Sequence, residues 1–155
     1  MKKGTIDIAI TDTFLTNRNH GATDIVYPSH KVINLLDGKV IKVHDVYMRN
    51  KKGERIYQGK EVIVQSGNVT VGYLHLDTVS VNINDSVKQG DHIGTSLTTY
   101  GGSTGPHVHL TLYIKNRLVD SAIILAHLQK RGVVRIISLN SPYKEKYEKF
   151  FNKFK

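Results

Sequence analysis

The stretch Pro106-His107-Val108-His109-Leu110-Thr111-Leu112-Tyr113-Ile114 decides how this chain is read. Val108, Leu110, Leu112 and Ile114 are apolar and alternate with His107, His109, Thr111 and Tyr113. That period of two belongs to a strand with one face in a core. Residues two apart on a strand share a face, so His107 and His109 stand side by side while Val108 and Leu110 point the other way. Two adjacent imidazoles pack poorly and repel when both are protonated. They suit a divalent cation, or one ligand beside one acid–base group. An exposed sheet face explains this short run alone about as well.

The same period recurs outward from this stretch, in Val40-Ile41-Lys42-Val43, Glu61-Val62-Ile63-Val64-Gln65 and Val69-Thr70-Val71-Gly72-Tyr73-Leu74. Turn signals bound these runs: Asp37-Gly38, Lys52-Gly53, Gly59, Ser66-Gly67-Asn68, Gln89-Gly90-Asp91, Gly101-Gly102 and Lys115-Asn116. Many short strands at close spacing predict a mainly β fold, an antiparallel sheet, sandwich or barrel. Two segments depart from the pattern. Ser121 to Arg131 reads as a short helix with Ser121 as N-cap and Gly132 as stop. Residues 141–155 read as a second, with Ser141 as cap, Pro142 in the first turn, and Tyr143, Tyr147, Phe150, Phe151 and Phe154 on one side. The expected organisation is one domain over 1–131 followed by a basic, aromatic, helical C-terminal extension over 132–155.

With 155 residues and 39% apolar content, the chain suits a single compact domain with its own core. It holds no cysteine, so any metal site must use imidazole and carboxylate. No stretch approaches the roughly eighteen apolar residues of a membrane span. Met1-Lys2-Lys3 resembles the start of a signal peptide, but the continuation through Asp7 and Asp12 lacks the long apolar run, and no signal peptide is expected here. The formal charge is +9, and residues 131–155 set seven Lys/Arg against Glu145 and Glu148. A basic surface favours polyanions: nucleic acid, anionic lipid or the anionic polymers of a bacterial wall. Nothing in the aromatic residues matches a nucleic-acid-reading motif, so no nucleic-acid partner is expected.

Of the eight histidines, His30, His44, His92 and His127 have no partner at useful spacing and read as surface or half-buried residues. His20-Gly21-Ala22-Thr23-Asp24 is different: a His and an Asp with small residues between them can wrap one ion from a loop entering a strand. Joined to the histidine pair it completes the three protein ligands of a catalytic zinc, leaving a fourth position for water. His75, in Gly72-Tyr73-Leu74-His75-Leu76, reads equally as a core histidine or as a group facing that ion.

These motifs, in this order, resemble the lysostaphin/LytM-type zinc metalloendopeptidases, which cut peptidoglycan peptides. The resemblance rests on His20-x-x-x-Asp24, Tyr73-Leu74-His75-Leu76 and Ser103-Thr104-Gly105-Pro106-His107-Val108-His109-Leu110. Asp37-Gly38-Lys39-Val40, Asp85 to Gly94 and Leu118-Val119-Asp120 add to it, so that it runs from about residue 18 to 125. It implies a core of the LytM type, one Zn2+ per chain held by His20, Asp24 and His109, and unligated catalytic histidines at His75 and His107. Spacing alone leaves open which of His107 and His109 is the ligand; the resemblance assigns His109.

The implied activity is hydrolysis of stem or cross-bridge peptide bonds at the bacterial cell wall. The basic, aromatic tail suits either docking on anionic wall polymers or a larger virion assembly, as in a phage lysis or tail component, or a solvated terminal helix that packs its aromatics on the domain. The sequence departs from the family pattern at Ala22, where glycine is usual, at Ser121, where proline is usual, and at Phe14, the nearest aromatic before His20, which lacks a hydroxyl. A non-catalytic structural or activating module on the same scaffold is the rival expectation.

Overall fold

The computed structural model describes residues 4–14, 21–98 and 106–155. His20, Ser103, Thr104 and Gly105 therefore lie outside the described residues. Eleven strands form among the described residues: β1 (Ile6–Asp12), β2 (Thr23–Val26), β3 (Lys31–Ile33), β4 (Gly38–Arg49), β5 (Arg55–Ser66), β6 (Val69–Val79), β7 (Ser86–Val87), β8 (His92–Ser96), β9 (Val108–Ile114), β10 (Arg117–Val119) and β11 (Val134–Leu139). Two helices join them, α1 (Ala122–Lys130) and α2 (Lys144–Asn152).

The alternation in β9 is what the sheet uses. Val108, Leu110 and Leu112 are buried while His109 and Thr111 are partly exposed on the other face. Val62 and Val64 of β5 and Val71 and Tyr73 of β6 lie on the same buried face as those three. The strand order is β11-β1-β2-β9-β6-β5-β4-β7, with β10 paired to β9 and β8 bridging β6 and β3. Hairpins explain most neighbours: β4–β5 turns at Lys52-Gly53, β5–β6 at Gly67-Asn68, and β9–β10 at Lys115-Asn116, whose two positive φ angles suit a tight two-residue turn.

The sheet is mixed rather than wholly antiparallel, because β11 runs parallel to β1 at one edge. Pairing between the two ends of a chain leaves no local turn signal, and so the strand was not legible. The same strand changes the account of residues 132–155. Only Lys144–Asn152 is helical; Val134–Leu139 extends the sheet, and Tyr147 and Phe151 join the main hydrophobic core. Ser141 serves the turn before α2, its Oγ accepting from the Tyr143 amide at 2.9 Å.

Helix α1 follows its sequence signals at the C-terminus. Gly132 takes φ +74°, letting the Val133 amide reach the Leu128 carbonyl (2.9 Å) and its own amide reach Gln129 (3.0 Å), a Schellman closure. At the N-terminus Ser121 holds the cap position but makes no side-chain cap hydrogen bond. Asp120 Oδ1 accepts from the Ala122 amide at 2.9 Å, while the wholly buried Ser121 donates to Thr23 Oγ1 at 2.7 Å. The serine that stands where the family usually has proline thus ties α1 to β2, next to Asp24. Ala22, another of the departures, is fully buried, so its methyl packs into the core.

Candidate metal centre and active site

Asp24 of β2, His109 of β9 and Leu74 of β6 occupy one register row across three adjacent strands. Paired residues share a face, so Asp24 and His109 both project from the face opposite the core. Asp24 Oδ1 stands 3.2 Å from His109 Nδ1. Two ligands each about 2.0–2.1 Å from one tetrahedral ion stand about 3.3 Å apart, so this spacing fits a shared divalent metal. Imidazole nitrogen with carboxylate oxygen is a donor set that zinc accepts. His20, the third expected ligand, lies outside the described residues, and among the described residues no three such side chains form a complete ligand set.

His107 precedes β9 and its Nε2 is 3.8 Å from Asp24 Oδ2, too long for a hydrogen bond but close enough to share the site. His75 completes the group: its ring centroid is 5.1 Å from that of His107 and 5.8 Å from that of His109. Four of the five expected residues are therefore brought together. His30, His92 and His127 are exposed, and His44 is half-buried against Glu61.

Simple alternation would send His75 into the core with Val71 and Tyr73. A bulge prevents that. Lys60 and Glu61 pair with Leu76 and Leu74, leaving His75 as the extra residue on β6, at φ +75°. Gly59 sits against this bulge at φ +91°; a Cβ there would meet the Leu76 carbonyl oxygen at 2.9 Å and His75 Cα at 3.0 Å. Gly59 was expected at a turn, but it lies inside β5 and makes room for a histidine across the strand.

The residue before it fixes the ring. His75 Nδ1 is 2.6 Å from the Gln58 carbonyl oxygen. A carbonyl only accepts, so Nδ1 carries the proton and Nε2 is the basic nitrogen. Burial, opposed by that hydrogen bond and reinforced by His107 and His109, pushes the His75 pKa down to about 4. His75 is only 7% exposed and is neutral at physiological pH. Neither Gln58 nor Gly59 could be assigned to the site from sequence; the one available signal was a glycine where the strand pattern had no need of it.

The family model described as peptidase family M23 matches residues 18–121, a span that includes all five histidine and aspartate positions. The peptidoglycan DD-endopeptidase ShyB of Vibrio cholerae serotype O1 is 32% identical over 123 residues, covering 72% of this chain and 26% of ShyB. The chain thus spans about a quarter of the length of that relative. Among solved structures, one from Pseudomonas aeruginosa designated peptidase M23 is 25% identical with a TM-score of 0.61, covering 81% of this chain and 50% of that one. Lysostaphin from Staphylococcus simulans shares the fold at 23% identity and a TM-score of 0.54, over 72% of this chain and 45% of lysostaphin.

Proposed function

The chain belongs to peptidase family M23, and on that premise we propose that it is a zinc-dependent endopeptidase that hydrolyses peptide bonds in peptidoglycan. The observation that carries the reading is the Asp24–His109 pair, 3.2 Å apart with His75 and His107 around it. His20, Asp24 and His109 are the residues that would hold the metal. When bound, zinc supplies a Lewis acid for the scissile carbonyl and a water of lowered pKa.

The chain's own groups supply the proton handling. His75, held as the Nδ1–H tautomer by Gln58, offers Nε2 as acceptor for a proton from the attacking water. His107 is the complementary hydrogen-bond donor to the developing oxyanion, and the proton that His75 has taken up passes to the leaving amine.

The resemblance to ShyB supports the bacterial wall as the place of action, with stem or cross-bridge peptides as substrate class. Lys146, Lys149 and Lys153 of the C-terminal segment are exposed and supply a basic surface for anionic wall polymers. No helix among the described residues is long and apolar enough to cross a membrane.

A test is the clearing of purified cell walls by wild type, by Asp24→Ala and by a chelated sample. Clearing by wild type alone is expected. Equal clearing by all three would refute a metallopeptidase, and clearing by none would return the chain to the rival reading of a non-catalytic module.

A further inference from the structure

The face that carries Asp24 and His109 continues beyond them with features the hydrolytic step does not use. Thr111 is two residues from His109 on β9 and faces the same way, about 7 Å along the strand. Across the ladder it pairs with Gly72 of β6, and Gly72 in turn pairs with Ile63 of β5. Gly72 has no side chain to fill its place in this row. A Cβ there would meet Thr111 Oγ1 at 2.5 Å and Glu61 Oε2 at 3.3 Å. Two oxygens, one hydroxyl and one carboxylate, therefore lie over Gly72, where any larger residue would put a side chain, beside the metal-ligand row.

Glu61 is not a loose surface acid. Its side chain is 18% exposed, and His44 Nε2 holds Oε1 at 2.7 Å from the next strand. That leaves Oε2 turned toward Gly72. A fixed carboxylate with a hydroxyl beside it selects a group that is cationic and rich in donors, and a primary ammonium has three.

We infer that Glu61 and Thr111, flanking Gly72, form a subsite for an ammonium group of the substrate. The inference rests on the proposed peptidase reading and narrows it to peptides carrying a free amine near the cleaved bond. At about 7 Å from His109, that amine belongs either to the side chain of a diamino acid or to a free N-terminus about two residues from the scissile carbonyl.

The test is calorimetric titration of the zinc-loaded full chain with four synthetic stem peptides. They carry both amines free, only the side-chain amine acetylated, only the N-terminal amine acetylated, or both acetylated. Wild type should bind one singly acetylated form about as well as the free peptide and the other at least about tenfold more weakly, the loss expected for one charge-assisted hydrogen bond. Which one weakens identifies the amine. Glu61→Gln should remove the preference while leaving affinity for the doubly acetylated peptide unchanged. Thr111→Val should reduce the preference in the same sense, with the Glu61–His44 pair intact. Equal affinity of wild type for all four peptides, or an equal loss on all four in Glu61→Gln, would overturn the subsite. Hydrolysis is read separately on the same peptides. A wild type that shows the amine preference but cuts none of them sinks the peptidase reading and leaves the subsite standing.

Discussion

Asp24 and His109 are direct cross-strand partners, β2 against β9, with Oδ1 and Nδ1 3.2 Å apart. A register row of the central sheet therefore sets their separation, and no loop has to close to bring them together. Asp24→Ala should leave the fold intact and abolish metal retention. Loss of outer-shell partners costs about 10–100-fold in metal affinity or activity; loss of Asp24 should exceed that range. Metal content after dialysis, read by atomic absorption beside a circular dichroism spectrum, checks it. Full retention of metal would mean that Asp24 is not a ligand.

His75 gives a pH signature in the metal-free protein. An unfolded histidine titrates near pH 6.5, and His75 in the fold titrates at about 4. Above both values neither state is protonated at this residue, and below both values each is. Between them the unfolded chain holds the extra proton, so stability falls as pH drops from 6.5 to 4, by about 3 kcal/mol in total. His75→Gln should flatten that part of the curve. Denaturant midpoints at pH 7 and pH 4.5 for both proteins test this, and parallel curves would contradict it.

Gly59 should tolerate no side chain. Gly59→Ala places a methyl 2.9 Å from the Leu76 carbonyl oxygen on a backbone at φ +91°, a conformation that costs a non-glycine residue about 1–3 kcal/mol. The strain falls on the bulge that carries His75. Activity should therefore drop more than stability accounts for, chiefly in kcat, with metal content unchanged. Steady-state kinetics with a metal assay separates this from general unfolding; wild-type kcat would show that the bulge is not needed.

The alternation in residues 108–114 gave the central strand, its faces and the side-by-side histidines, because period two is a local property of a half-buried strand. The pairing of that strand with Asp24 was legible only through the family motifs; spacing alone did not choose between His107 and His109. His75 was ambiguous for a physical reason. Strand alternation assigns it to the core, and one extra residue opposite Lys60 and Glu61 turns it to the other face. The parallel pairing of Val134–Leu139 with Ile6–Asp12 was not legible at all, since 128 residues separate Asp7 from its register partner Arg135 and no local turn joins the two strands.

The C-terminal segment should behave as part of the fold. Phe151 is 4% exposed, and the Tyr147 hydroxyl donates to Asp120 Oδ2 at 2.5 Å, beside the start of α1. Phe151→Ala should destabilise the protein by about 3–5 kcal/mol, the cost of deleting a buried aromatic. Thermal or denaturant unfolding measures it. A change within about 0.5 kcal/mol, the range of ordinary surface substitutions, would mark the helix as a loosely attached appendage.

The most direct test of the central claim is mass analysis of the fragments released from purified peptidoglycan by metal-reconstituted wild type, with its zinc stoichiometry measured on the same sample. The expected result is one zinc per chain and soluble products that each show a broken peptide bond, absent from the Asp24→Ala digest. A zinc-loaded wild type that releases no such product, or an Asp24→Ala protein that releases the same ones, would contradict the account.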